Sequence, residues 1–323
     1  MLPTVWFILI AVLWIGYLFL EGFDLGVGMH LLFFTREERE KRVMLNAIGP
    51  VWDGNEVWLI TAGGATFAAF PDWYASLFSA LYIPLVLVLV GLIARAVAIE
   101  YRGKGTSARW RRGWDLALGL GSFVAAFGVG AMLALTTTGF PLDANGDRVG
   151  GAFAWATPWA FIGGFAVVGF SLVHASLFLA LKTDDAVRVR SNRFVARVLP
   201  FALIPIVVWV VGIQLATGTG ITWAITLVAA AFAVAAWIAN RRGREGRAFV
   251  FLGAFLLAGV AAIFGAVYPV VLPSTLSHAF DLTVANASSA PYTLSVMSVV
   301  ACFGIPLVLA YQGWTYWVFR KRI

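Results

Sequence analysis

Long apolar runs separated by short basic clusters constrain this chain more than any other feature. A spanning helix needs about 20 mostly apolar residues, and that ruler finds about nine segments, near residues 5–34, 50–70, 75–98, 114–136, 156–181, 196–216, 221–240, 248–270 and 292–319. Lipid offers no partner to a free backbone group, so such runs must be helices or a closed barrel, and their unbroken apolarity excludes the alternating barrel pattern. The expected fold is all-α, a polytopic membrane helical bundle. With no fixed-period repeat and no long linker, residues 1–323 read as a single membrane-embedded domain. Composition agrees: 12% of residues are charged, about half the share in an ordinary soluble domain.

The basic residues set the orientation. Arg36, Arg39, Lys41 and Arg42 follow the first segment, Arg95 to Arg112 the third, Lys182 to Arg197 the fifth, Arg241 to Arg247 the seventh, and Arg320 to Arg322 the last. Of 23 Lys and Arg, 22 fall in these places and only Arg148 falls on the other side. By the positive-inside rule the N-terminus is outside and the C-terminus cytoplasmic, which requires an odd helix count. The net charge of +7 therefore reads as a topology signal, with no nucleic-acid partner implied. An export signal carries basic residues ahead of its apolar stretch, whereas the first here is Arg36, so the first segment is expected to stay as a helix. Cys302, the sole cysteine, excludes an internal disulfide and a CxxC motif and is expected to be packing filler. Gly22 with Gly26, Gly119 with Gly121, and Gly163 with Gly164 are expected where helices approach closely.

The informative residues are acids inside apolar segments. Glu21 and Asp24 lie in the first, Asp53 and Glu56 at the start of the second. An acid at membrane depth costs about 2.5–3.5 kcal/mol on insertion scales, so several together need a reason. Each pair is three residues apart, hence on one helix face, and the opposite directions of the two helices put both pairs in the cytoplasmic half of the bilayer. Four carboxyls are expected to converge near one wet mouth. Neighbouring carboxyls out of water favour the proton-bound form, the property a proton chain needs, with Asp24 and Asp53 as the deeper members. The alternative is that these acids cap helices or pair with Arg95 or Arg102, with Asp53 and Glu56 in the headgroup zone.

Other polar residues carry weaker signals. Arg95 ends the apolar run Ile83–Ala94 and reads as a snorkelling residue or as the partner of a buried acid. Glu100 and Asp115 sit near cytoplasmic helix ends, where a solvated role and a relay role are equally open. His30, His174 and His278 are possible haem ligands by chemistry, but without helical pairing they read better as satisfied core or boundary histidines. No P-loop, dinucleotide glycine signature, HExxH or Ser-His-Asp order is present.

The stretches Glu21-Gly22-Phe23-Asp24-Leu25-Gly26-Val27-Gly28 and Asn46-Ala47-Ile48-Gly49-Pro50-Val51-Trp52-Asp53-Gly54-Asn55-Glu56-Val57-Trp58-Leu59, followed by Thr61-Ala62-Gly63-Gly64, resemble subunit II of bacterial cytochrome bd quinol oxidases. Arg95 to Arg102 looks like that family's third-helix end, and Phe264 to Pro273 like its Pro-rich eighth-helix exit. The resemblance implies a multi-pass protein of the bacterial plasma membrane in a respiratory complex. A larger subunit I would hold two haems b and one haem d, oxidise quinol near the outer face, and reduce oxygen to water with cytoplasmic protons. Subunit II would stabilise subunit I, bind a structural quinone in some members, work beside a small accessory chain in others, and lend acids to proton delivery, while holding no essential haem ligand. By this resemblance Asp53 matches the proton-path aspartate of the WDGN motif, Trp52 and Asn55 its neighbours, and Asp24 the GFD aspartate. Glu21, Glu56, Arg95 and Glu100 complete the expected pathway set.

Two other classes also accommodate buried acids. A proton-coupled transporter would show broken helices near the midplane and, usually, inverted repeats. A purely structural partner would use the acids only to hold two chains together.

Overall fold

The computed structural model describes residues 1–323. Its elements are α1 (Leu2–His30), α2 (Glu38–Ile48), α3 (Trp52–Ala69), α4 (Pro71–Ala80), α5 (Tyr82–Tyr101), α6 (Ala108–Thr138), α7 (Pro158–Lys182), α8 (Asp185–Ala202), α9 (Ile204–Thr217), α10 (Gly220–Arg241), α11 (Glu245–Val267), the short strands β1 (Val270–Leu272) and β2 (Leu282–Thr283), and α12 (Pro291–Val318). Eight helical stretches, counting α8 and α9 as one, are long and apolar enough to cross a membrane. The second expected segment is α3, whose 18 residues reach about 27 Å at 1.5 Å per residue. It is less apolar than the other eight because its first turns hold Asp53, Asn55 and Glu56.

Segment boundaries differ from expectation where proline and short amphipathic pieces intervene. The third segment starts at Tyr82 rather than 75, because Pro71 opens a separate helix, α4, that buries Trp73, Leu77 and Ala80. The sixth begins at Asp185 rather than 196 and bends at Leu203, where Pro205 offers no amide to continue the ladder. The bend is a kink and not an unwound stretch, since Leu203 N–H still reaches Leu199 O and Val207 N–H reaches Leu203 O. A transporter's broken midplane helix is therefore not what this feature provides.

α7 is buried nearly all round and packs on α1, α6, α8 and α9. Its approach to α1 depends on Gly26, where an added Cβ would lie 2.0 Å from Ser171 O. Its approach to α6 depends on Gly163 facing Gly130, where either Cβ would strike the other's backbone. These are the small-residue contacts by which helices pack without a hydrophobic driving force in lipid. α12 is the outermost helix, with Leu294 its one fully buried residue. Cys302 lies exposed on it, so the expectation that it fills the core is wrong; an apolar run on a peripheral helix faces lipid or a partner as readily as the core.

The two ends of the bundle are built differently. At the end bearing the basic clusters, α2 lies across the helices with Met44, Ala47 and Ile48 buried. The C-terminal tail is tied there too, with Ile323 N–H donating to Lys182 O and Arg322 pairing with Asp184 at 2.8 Å and Glu245 at 2.9 Å. At the opposite end, residues 139–157 and 270–290 form a cap in which Ser274 Oγ donates to Leu142 O at 2.7 Å.

Candidate functional site

Near the end with the basic clusters, four helices bring polar groups to one point. α1 contributes Glu21 and Asp24, both with no exposed surface. One turn is enough to place them on the face that meets α3 and α5, because positions three apart on a helix share a side. α5 contributes Arg95, also fully buried. Its Nη2 lies 2.6 Å from Glu21 Oε1, its Nη1 donates to Glu56 Oε2 of α3 at 3.1 Å, and its guanidinium stands 6.0 Å from the centroid of the Trp52 ring. The reading of Arg95 as a snorkelling end residue is thereby excluded, and its alternative, partnership with a buried acid, is what the structure shows.

Asp24 is held through Asn55. The Asn55 Nδ2 donates to Asp24 Oδ2 at 2.7 Å and to Leu20 O at 3.1 Å, while its Oδ1 accepts from Gln312 Nε2 at 2.8 Å and from Tyr316 Oη at 2.9 Å. The amide thus makes all four of its hydrogen bonds. Around it the arrangement is under-satisfied: Glu21 Oε2, Asp24 Oδ1, Arg95 Nε and the Tyr17 hydroxyl are buried without a hydrogen-bond partner. Three carboxyls face a single guanidinium. Such a set can hold and exchange protons, since burial of surplus negative charge is costly unless protons or water relieve it.

Asp53 does not join the cluster. It is exposed, on the side of α3 that also exposes Val57, Ile60 and Phe67. The three-residue spacing correctly puts Asp53 and Glu56 on neighbouring positions, but it does not say which of them turns inward. Glu56 sits at the flank, paired with Arg95 and with 21% of its side chain still accessible. Glu100 is exposed and has no polar partner. Asp115 belongs to a second network, where Arg102 Nε donates to it at 2.5 Å and Lys41 Nζ at 2.8 Å. Gln312, Tyr316 and Tyr17 lie outside the set of residues expected from sequence. Gln312 and Tyr316, four apart on one face of a spanning helix, were the available signal.

The histidines are engaged otherwise. His30 Nε2 lies 2.8 Å from Ser176 Oγ and 3.1 Å from Leu172 O. His174 Nε2 lies 2.8 Å from Phe19 O, and its ring is packed among Phe19, Phe23, Phe170 and Phe249. His278 is exposed at the opposite end beside Asp281. His30 and His174 thus each hold a protein oxygen through Nε2 and pack against aromatic rings.

A cavity of about 430 Å³ opens beside the cluster, lined mainly by aromatic and aliphatic side chains of α1, α7, α11 and α12, with Lys182 and Arg320 among its polar residues and Tyr316 in its wall.

The sequence profile of the family described as cytochrome bd terminal oxidase subunit II matches residues 2–319. The chain belongs to that family. Its similarity to curated members runs end to end: 38% identity to the cytochrome bd ubiquinol oxidase subunit 2 of Bacillus subtilis, covering 100% of this chain and 97% of that protein. Identity is 33% to the cytochrome bd-I ubiquinol oxidase subunit 2 of Escherichia coli strain K12, covering 100% and 95%. The fold is that of a solved chain from the bd oxidase of Geobacillus thermodenitrificans, with a TM-score of 0.80 at 18% identity over 98% of both chains. As a bd oxidase subunit II, the chain is a multi-pass bacterial membrane protein and one component of an oxidoreductase complex.

Proposed function

We propose that this subunit II stands beside a larger, haem-bearing subunit I and supplies protons for oxygen reduction through the carboxyls around Arg95. In this reading the end with the basic clusters is cytoplasmic and the N-terminus is outside. Haem b and haem d are held by subunit I, a quinol is the electron donor, and a small accessory chain or a structural quinone completes the complex. The surplus of three carboxyls over one buried guanidinium supports the reading most directly. A purely structural ion pair needs one acid per cation; here Glu21 and Glu56 both pair with Arg95, and Asp24, held by Asn55, adds a third carboxyl.

The route starts from Asp24, nearest the cytoplasmic end of α1, passes Glu21, and reaches Glu56, the one cluster member with accessible side-chain surface on α3. Asp53, on the outward face of the same helix, stands where a proton leaves for the partner subunit or joins from water at the junction. Arg95 and Trp52 keep the carboxyls in place. When bound in subunit I, the haems supply the electrons; the residues of this chain only hold and pass protons.

Asp24→Asn in the intact complex tests this. Oxygen consumption is expected to fall about tenfold or more with the haem absorbance unchanged. Full turnover overturns the proposal. Loss of haem together with activity supports scaffolding instead.

A further inference from the structure

α12 has almost no buried surface, yet it places two polar side chains against the acid cluster. Gln312 Nε2 and Tyr316 Oη both donate to the same atom, Asn55 Oδ1. An asparagine amide has two faces of opposite polarity, and which one meets a carboxyl depends on what holds the other. With two donors fixed on its oxygen, Asn55 must present its NH2 group to Asp24. Asp24 Oδ2 is then occupied as an acceptor, and Oδ1 is left without a partner.

Tyr316 also has a second neighbour. Together with Phe19, Phe23 and Phe249 it forms the wall of the 430 Å³ cavity, which includes Asn46 of α2 and Lys182 and Arg320 among its lining residues. Neither cation has a carboxylate partner: Lys182 Nζ donates to the backbone oxygens of Phe319 and Lys321, and Arg320 Nη1 to Trp317 O. The tyrosine hydroxyl therefore stands between a cavity at the basic end and the amide that holds Asp24.

We infer that Tyr316 is a positioning residue of subunit II: it closes the inner end of a cytoplasmic, water-accessible cavity and locks the Asn55 amide in the one orientation that leaves Asp24 free to receive protons. The inference deepens the proton-delivery reading and rests on it. Gln312 shares the locking role, so removing either donor loosens the amide and removing both frees it to turn. Phe19, Phe23 and Phe249 keep the cavity narrow, and the tail held by Arg322 carries Arg320 and Ile323 into its lining.

The test uses the intact oxidase complex. Tyr316→Phe keeps the ring and removes the hydroxyl; one lost hydrogen bond of ordinary strength corresponds to about a two- to tenfold change. The expected result is a fall of that size in kcat, with KM for quinol and the haem spectrum unchanged, and a further fall in Tyr316→Phe with Gln312→Leu. Accessibility is checked separately with Asn46→Cys in a Cys302→Ser background, labelled with a bulky water-soluble maleimide. The labelled variant is expected to turn over several-fold more slowly than the same variant unlabelled. A wild-type kcat for Tyr316→Phe beside a slow Asp24→Asn overturns the role of Tyr316 and leaves proton delivery standing. Loss of haem in Tyr316→Phe, or full turnover after confirmed labelling at position 46, also overturns it. Full turnover of Asp24→Asn removes both.

Discussion

Two arginines, Arg95 within α5 and Arg102 just past its end, are seven residues apart and do opposite things with the acids around them. Arg102 is saturated: Nη1 and Nη2 bind Glu38 Oε1 and Oε2 at 2.8 and 2.9 Å, and Nε binds Asp115 at 2.5 Å. With Lys41 on Asp115 and Arg111 3.8 Å from Glu38, three cations meet two carboxylates, and 37% of the Glu38 side chain is accessible. Arg95, two turns deeper, has no accessible surface, an unpartnered Nε and two carboxylates in contact, Glu21 and Glu56, with a third, Asp24, one turn from Glu21. A network with cations in excess, bidentate at Glu38, ties α2 to Arg102 at the end of α5 and to Asp115 of α6. In the proposed reading, one with carboxyls in excess, out of water and short of hydrogen bonds, is where protons make up the difference. In that reading the same residue types serve anchoring or exchange according to depth and stoichiometry.

The sharpest way to break the contrast is to remove each arginine's charge. Arg95→Met leaves buried acids without their cation and is expected to cost about 3–5 kcal/mol, seen as a loss of assembled complex in membranes. A variant that assembles and melts like the wild type would show that the pair around Arg95 does not hold the helices. Next in size is Glu21→Gln, which retains shape and removes one exchangeable carboxyl. Turnover should drop about tenfold or more while haem content and melting stay put; equal loss of both would merge the two clusters into one structural class.

Glu38→Gln in the Arg102 network is expected to leave turnover intact and to cost under about 1 kcal/mol, as for other accessible ion pairs, read by thermal unfolding. The bidentate hydrogen bonds from Arg102 hold the Glu38 carboxyl below its usual range. Its contribution is therefore complete above the ordinary carboxylate pKa and fades as acid titrates it through the lowered value. Stability lost on raising the pH from neutral would have the wrong sign. Smallest of all is Glu100→Gln: that side chain is exposed without a partner, so neither turnover nor melting should move.

Much of this was legible in the residues. The apolar runs fix the spanning segments because lipid tolerates little else, and the acids at Glu21 and Asp24 stand out because their burial is costly. What the sequence withholds is rotation and distance. Asp53 and Glu56 have nearly identical sequence surroundings, yet one faces outward and the other pairs with Arg95, since a helix of mixed polarity gives no single buried stripe. Arg95 follows an apolar run as a snorkelling residue would, and only the packing of α5 on α1 and α3 shows its partners. Asn55 reads as a motif neighbour until Gln312 and Tyr316, more than 250 positions away, are seen to fill its oxygen. α2 and α4, at 11 and 10 residues, are too short to stand out against a ruler of about 20.

In the proposed function, protons pass through the carboxyls beside Arg95. Proton uptake can be followed with a pH dye while the fully reduced complex meets a pulse of oxygen, comparing the natural subunit with one carrying Glu21→Gln and Asp24→Asn together. Uptake is predicted to slow by about tenfold or more in step with oxygen reduction, with the haems still present and reducible by quinol. Uptake at the natural rate with both carboxyls gone would contradict it.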